Sequence, residues 1–100
     1  MTDFKKKAAQ TLDTIFNLVE SKFDNYEVDY EDENLRIDSL EGRGTFIVSI
    51  HSPTSQIWLS SPVSGAHHFK SESTDSTEWI STRDTKINLR QLIIQELDAE

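Results

Sequence analysis

The 100 residues predict an α/β domain of the α+β kind: a two-layer sandwich with two helices on one face of an antiparallel sheet of about five to seven strands. Three observations carry this. An amphipathic helical repeat opens the chain, and a second one closes it. Between them stand short alternating segments parted by turn residues. Consecutive strands with short turns make an antiparallel sheet, and two helices cover one face of it, leaving the other to solvent. The length fits a single domain over residues 1–100, with no repeat or linker inside it.

Residues 3–23 read as the first helix. Ala8, Leu12, Ile15, Phe16, Val19 and Phe23 recur three and four apart and share one stripe. Thr2 or Asp3 suits its start, and Asn25 its end. At about 100° per residue, Asp13, Asn17, Glu20 and Asp24 form a second stripe, about 120° from the first. Tyr26–Tyr30 then alternates as a half-buried strand, with Tyr26, Val28 and Tyr30 inward and Glu27, Asp29 and Glu31 outward. Asp32-Glu33-Asn34 is a turn, and Leu35, Ile37 and Leu40 suit a second strand. Gly42-Arg43-Gly44 turns the chain into a third strand, Thr45–His51, with Phe46, Val48 and Ile50 on one side and Thr45, Ile47, Ser49 and His51 on the other. Ser52-Pro53-Thr54 is a turn before a fourth strand, Gln56–Ser60, with Ile57 and Leu59 inward. Ser61–Gly65 is a loop, His67–Lys70 a fifth strand, Ser71–Thr77 a polar loop, and Glu78–Ser81 a sixth strand with Trp79 buried. Asn88 caps a closing helix with Leu89, Leu92, Ile93 and Leu97 on one face.

Composition narrows the function. There is no cysteine, which excludes disulfides, thiolate metal sites and cysteine nucleophiles. No apolar run approaches the roughly 20 residues of a membrane span. Met1–Gln10 lacks the apolar region of a secretory signal and is not an Arg-rich transit peptide, so a cytoplasmic protein is expected, or the mature form of an organellar one. The net charge of −8 argues against nucleic acid and for cations or a basic protein surface. Between Ala8 and Leu35 lie eight acids and a single base, Lys22, so this segment holds nearly all of that charge.

The acids of the helix stop where those of the first strand begin, so the two rows can adjoin. Hard cations prefer carboxylate oxygens, and an open row of them holds such ions loosely. A solvated face with a charged, aggregation-resistant edge strand explains the same pattern. Trp58 lies between inward-facing Ile57 and Leu59, so alternation puts it on the open face beside Gln56 and Ser60. There it serves either as a docking residue or as a ring packed on a neighbour. His67 and His68 are adjacent on a strand and point to opposite faces, which rules out ordinary chelation by the pair. No Gly-x-Ser-x-Gly elbow and no phosphate-binding loop is present.

Gln56-Ile57-Trp58-Leu59-Ser60-Ser61-Pro62-Val63-Ser64-Gly65 resembles the signature of the frataxin family, which includes the bacterial CyaY proteins. Gly44–Val48, Pro53, Trp79, the closing helix from Asn88 to Leu97, and Thr11-Leu12-Asp13 resemble the family elsewhere, so the likeness covers nearly the whole chain. The resemblance implies a protein that binds iron (Fe²⁺ or Fe³⁺) weakly and assists iron–sulfur cluster assembly by docking on a cysteine desulfurase and its scaffold protein. It implies iron- and desulfurase-facing carboxylates at Asp13, Glu20, Asp24, Glu27, Asp29 and Glu31. It also implies partner-facing sheet residues at Gln56 and Trp58, with Ser49 and His68 standing where the family usually has Asn and a basic residue. The family's longer members cover the groove between the helices with a tail, so a modest thermal midpoint is expected for a chain that stops at Glu100. A monomer without a catalytic centre is the leading expectation, with oligomers forming only if iron drives them. A ferroxidase and iron store is the alternative.

Overall fold

A computed structural model describes residues 3–71, 79–84 and 86–98. Its elements are α1 (Asp3–Lys22), β1 (Tyr26–Glu31), β2 (Asn34–Ser39), β3 (Thr45–His51), β4 (Gln56–Ser61), β5 (Gly65–Ser71), β6 (Trp79–Ser81) and α2 (Leu89–Asp98). The strands form one antiparallel sheet in sequence order, with β1 at one edge and β6 at the other. The expected architecture holds: two helices on a six-stranded sheet.

The helix-facing side of the sheet carries the core. Leu35, Ile37, Phe46, Val48, Ile57, Leu59 and Phe69 are fully buried there, beneath Ala8, Leu12, Ile15 and Val19 of α1 and Leu89, Ile93 and Leu97 of α2. α1 packs mainly on β1 and β3, and α2 on β6. Trp79 closes the core from the far edge. Its ring meets Phe4 edge-on at 5.9 Å, and its Nε1 donates to Thr11 Oγ1 at 2.7 Å. A groove of about 490 Å³ runs between the helices over Thr11, Ile15, Trp79 and Leu89. Among the described residues no helix is long and apolar enough to cross a membrane.

Several boundaries differ from the sequence reading. α1 ends at Lys22, and Phe23, placed on its stripe, instead packs edge-on against Tyr26 at 6.3 Å. Leu40 does not belong to the second strand. Ser39 N donates to Gly44 O and Leu40 N to Asn25 O, which turns the chain and leaves Leu40 61% exposed. Ser52–Thr54 winds as a short 3₁₀ turn. β4 runs on to Ser61, and β5 is longer than expected because pairing begins at Gly65 and continues to Ser71. Thr2, the side chain of Asp3 and residues 72–78, where a helix cap, a polar loop and the start of the sixth strand are expected, lie outside what the structure describes. Gly44 is required where it stands. Its φ is +111°, and a Cβ there would lie 2.6 Å from Pro62 Cβ.

Candidate functional site: an acidic edge and an indole face

β1 alternates as its sequence demands. Tyr26, Val28 and Tyr30 turn under α1, and Glu27, Asp29 and Glu31 stand on the open face. Asp13 and Glu20 are exposed on α1, whereas Asp24, expected on the same helix stripe, is exposed in the turn that follows it, because α1 ends at Lys22. The helix runs antiparallel to β1. Its start is tied to the β1–β2 turn by Lys5 Nζ–Glu33 Oε2 at 3.5 Å, and Phe16 lies against Tyr30 at 6.5 Å. Burial, then Asp13, then Glu33 push the Tyr30 phenol above its ordinary value, which places Asp13 within electrostatic reach of the end of β1. The two rows therefore flank one sheet edge, the helix acids on its covered side and the strand acids on its open side. No three His, Cys, Asp or Glu among the described residues converge into a metal-holding group.

A second element sits on the same open face. Strand register sets Glu31 opposite Asn34, Asn34 opposite Ser49, Ser49 opposite Trp58, and Trp58 opposite His68. Ser49 Oγ donates to Asn34 Oδ1 at 2.8 Å, and Trp58 Nε1 donates to Gln56 Oε1 at 2.8 Å. All four expected partner-facing residues, Ser49, Gln56, Trp58 and His68, thus form one patch, which a single row of pairs joins to the acidic edge. Trp58 is half-buried because histidines stack on it: His51 at 3.8 Å and 16°, His68 at 4.5 Å and 21°. The Trp58 ring thus packs on its neighbours, on the face that alternation gave. Nearby Ile47 is 40% exposed, one of the few large apolar side chains left open.

Sequence reasoning passed over His51. Alternation put it on the correct face, but its place against Trp58 depends on the pairing of His51 with Gln56 across the 3₁₀ turn. Asp38 was also missed. Its bond from Thr45 Oγ1 (2.6 Å) is the main influence holding its carboxyl below the ordinary range, with Arg36 Nε at 3.0 Å adding to it.

His67 points away from His68, as strand geometry requires. Its Nε2 meets Ser64 Oγ at 2.8 Å, and Ser64 Oγ donates to Glu96 Oε2 at 2.6 Å. The order is histidine–serine–carboxylate with the hydroxyl in the middle, so its proton goes to Glu96. A hydrolytic triad needs the histidine in the middle. This cluster fastens a loop to α2.

A family model described as a frataxin-like domain matches residues 1–100. The chain belongs to the frataxin family. Mitochondrial frataxin of Arabidopsis thaliana is 34% identical over 101 aligned residues, 96% of this chain and 52% of that protein. The mitochondrial frataxin homologue of Schizosaccharomyces pombe is 33% identical over 87, covering 82% and 54%. The chain spans about half the length of these curated frataxins. A solved frataxin from Psychromonas ingrahamii, of the CyaY family, superposes with a TM-score of 0.81 at 19% identity, over 97% of this chain and 89% of that one. Trimeric frataxin from Saccharomyces cerevisiae, crystallised as a ferrous complex, superposes at 0.73 with 24% identity, over 98% and 84%. Both share this frataxin fold.

Proposed function

We propose that the protein is an iron-binding accessory of iron–sulfur cluster assembly that docks on a cysteine desulfurase–scaffold complex and tunes its rate. The observation that carries this reading is the continuous row from Glu31 through Asn34 and Ser49 to Trp58 and His68. It makes the acidic edge and the indole patch one surface, and a basic partner meeting the edge also meets the patch. Acids of one sign steer such a partner and lose that effect in salt.

Iron, as cargo, would sit along Asp13, Glu20, Asp24, Glu27, Asp29 and Glu31. Their exposed oxygens suit a hard cation that keeps most of its water. The lack of a converging group among the described residues fits one or two carboxylates per ion. The protein acts here as a monomer in the bacterial cytoplasm. A mature mitochondrial form, as in the plant and fungal relatives, and an oligomer, as in the yeast one, are the alternatives.

The test is desulfurase turnover with scaffold and iron present. Micromolar wild type should change the rate, and Glu27→Lys/Asp29→Lys/Glu31→Lys should not. No effect of wild type on the desulfurase of its own organism would remove this reading. Iron-dependent oxygen uptake with turnover would then favour the ferroxidase and iron-store reading.

A further inference from the structure

The reading above gives His51 no role and His68 only a place in the row, yet the two histidines change what the patch presents. Two imidazole rings stack on the indole, one from β3 and one from β5, and the indole N–H is spent on Gln56. A partner therefore meets a slab of three rings rather than a bare tryptophan. Thr54 Oγ1 faces His51 O at 3.5 Å and His51 Nδ1 at 2.7 Å, which fits a ring that donates from Nδ1.

We propose that His51, Trp58 and His68 form one docking element whose charge is set by pH, so that the partner binds when both imidazoles are neutral and is repelled when both are protonated. This rests on reading the open face as the surface for a basic partner. Histidine is the side chain whose ordinary charge change falls between pH 5 and 8. An imidazolium held on an indole face brings a positive charge to the patch that a neutral imidazole does not.

The groups around the slab do not cancel these charges. On β5, Lys70 lies opposite Gln56, itself opposite His51. Beyond β5, Thr82 N holds His68 O and Arg83 Nη2 holds Ala66 O. On β2 the row offers neutral Asn34. Glu31 stands at the row's far end, beyond Asn34 and Ser49, and Glu33 is paired with Lys5. Lys70 and Arg83 border the slab on one side, and Glu33, whose O accepts from Ile50 N beside His51, borders it on the other, so protonation turns a neutral patch beside the acidic edge into a positive one. A basic partner drawn by that edge loses attraction at the patch.

Two measurements decide this. In the protein alone, the Trp58 indole N–H resonance is followed from about pH 8 to about pH 5.5, in wild type and in His51→Phe/His68→Phe, which keeps three stacked rings without titrating ones. The wild-type resonance should move with pH and the variant's should stay nearly still. Equal behaviour in both overturns the proposal. Affinity for the purified desulfurase–scaffold complex is then measured at both ends of the range. Wild type should weaken by about three- to tenfold more than the double variant, and His67→Gln should follow wild type. An equal pH dependence in wild type and double variant overturns the proposal. Absence of binding at either pH overturns the functional reading and the docking claim with it, and the resonance titration shows which has failed, since it needs no partner.

Discussion

The carboxylates of the acidic edge and the carboxylate of Glu96 are the same chemistry put to opposite uses. Glu27, Asp29 and Glu31 stand in water, each about 7 Å from the next along an edge strand. Glu96 is only 6% exposed, and each of its oxygens takes a hydroxyl: Oε1 from Ser61 and Oε2 from Ser64, both at 2.6 Å. Ser61 Oγ in turn accepts from Val63 N (2.9 Å) and Ser64 N (3.1 Å), so one side chain on α2 holds the whole β4–β5 loop in shape. A buried carboxylate is tolerated only with such donors. The difference teaches that the edge acids are free to serve a ligand because the fold makes no use of them, whereas Glu96 is committed to the fold.

The sharpest way to break this contrast is to remove each set. Glu96→Leu should cost about 3 kcal/mol, because the buried Ser61 hydroxyl, the Ser64 hydroxyl and the loop amides behind them lose their organising charge. For a domain of this size that lowers the thermal midpoint by about 10–20 °C. Glu27→Gln/Asp29→Asn/Glu31→Gln should change stability by no more than about 0.5 kcal/mol per site, and upward, since neighbouring like charges are removed. Thermal melts of both variants would show it, and equal losses would erase the distinction.

A smaller loss is expected at Gly44, where the hairpin after β2 leans on the same loop. Gly44→Ala puts a methyl into Pro62 at a backbone angle that L-residues avoid, and should cost about 2 kcal/mol. Pro62→Ala in the same background should recover part of this. No recovery would mean that the backbone angle alone sets the cost.

Much of this was legible from pattern. Period-2 alternation placed Glu27, Asp29, Glu31, Gln56 and Trp58 on the open face, because the covered face demands apolar residues at every other position. The α1 acids were legible as a stripe for the same reason. What pattern could not supply is register. That His51 and His68 meet on Trp58, and that Ser61 and Ser64 reach Glu96 across 35 and 32 residues of chain, depends on which strands and helices lie side by side. Glu96 reads in the sequence as one more exposed acid of a helix. Leu40 reads as a strand residue, because its apolar character says nothing about the hydrogen bonds that end β2 before it.

Asp38, on the strand next to β1, tests the contrast at lower amplitude. Its carboxyl is held low, first by the Thr45 hydroxyl and then by Arg36. A lowered carboxylate adds stability that is present above its unfolded value and lost as pH falls through its folded value. Thr45→Val should therefore raise the Asp38 value toward the ordinary one and lower stability at neutral pH, with the difference from wild type shrinking as pH falls through the carboxylate range. An NMR titration of the Asp38 carboxyl would check it. An unmoved Asp38 would show that Arg36 is the main cause.

The smallest effect is the most informative about the edge itself. If the helix acids and the end of β1 make one surface, Asp13 must be felt at Tyr30. In a Tyr26→Phe background, which leaves a single tyrosine, near-ultraviolet absorbance follows the Tyr30 phenol as pH rises. Asp13→Asn removes a negative charge that opposes phenolate formation, so the Tyr30 value should fall, yet stay above the ordinary tyrosine range because burial is the larger cause. The raised phenol also sets a direction for stability: it is intact below the unfolded tyrosine value and lost as pH climbs through the folded one, so Asp13→Asn should narrow the alkaline loss. An unchanged Tyr30 would mean that the helix acids and the strand acids are two separate patches, and that an ion or a partner held by one set is not held by the other.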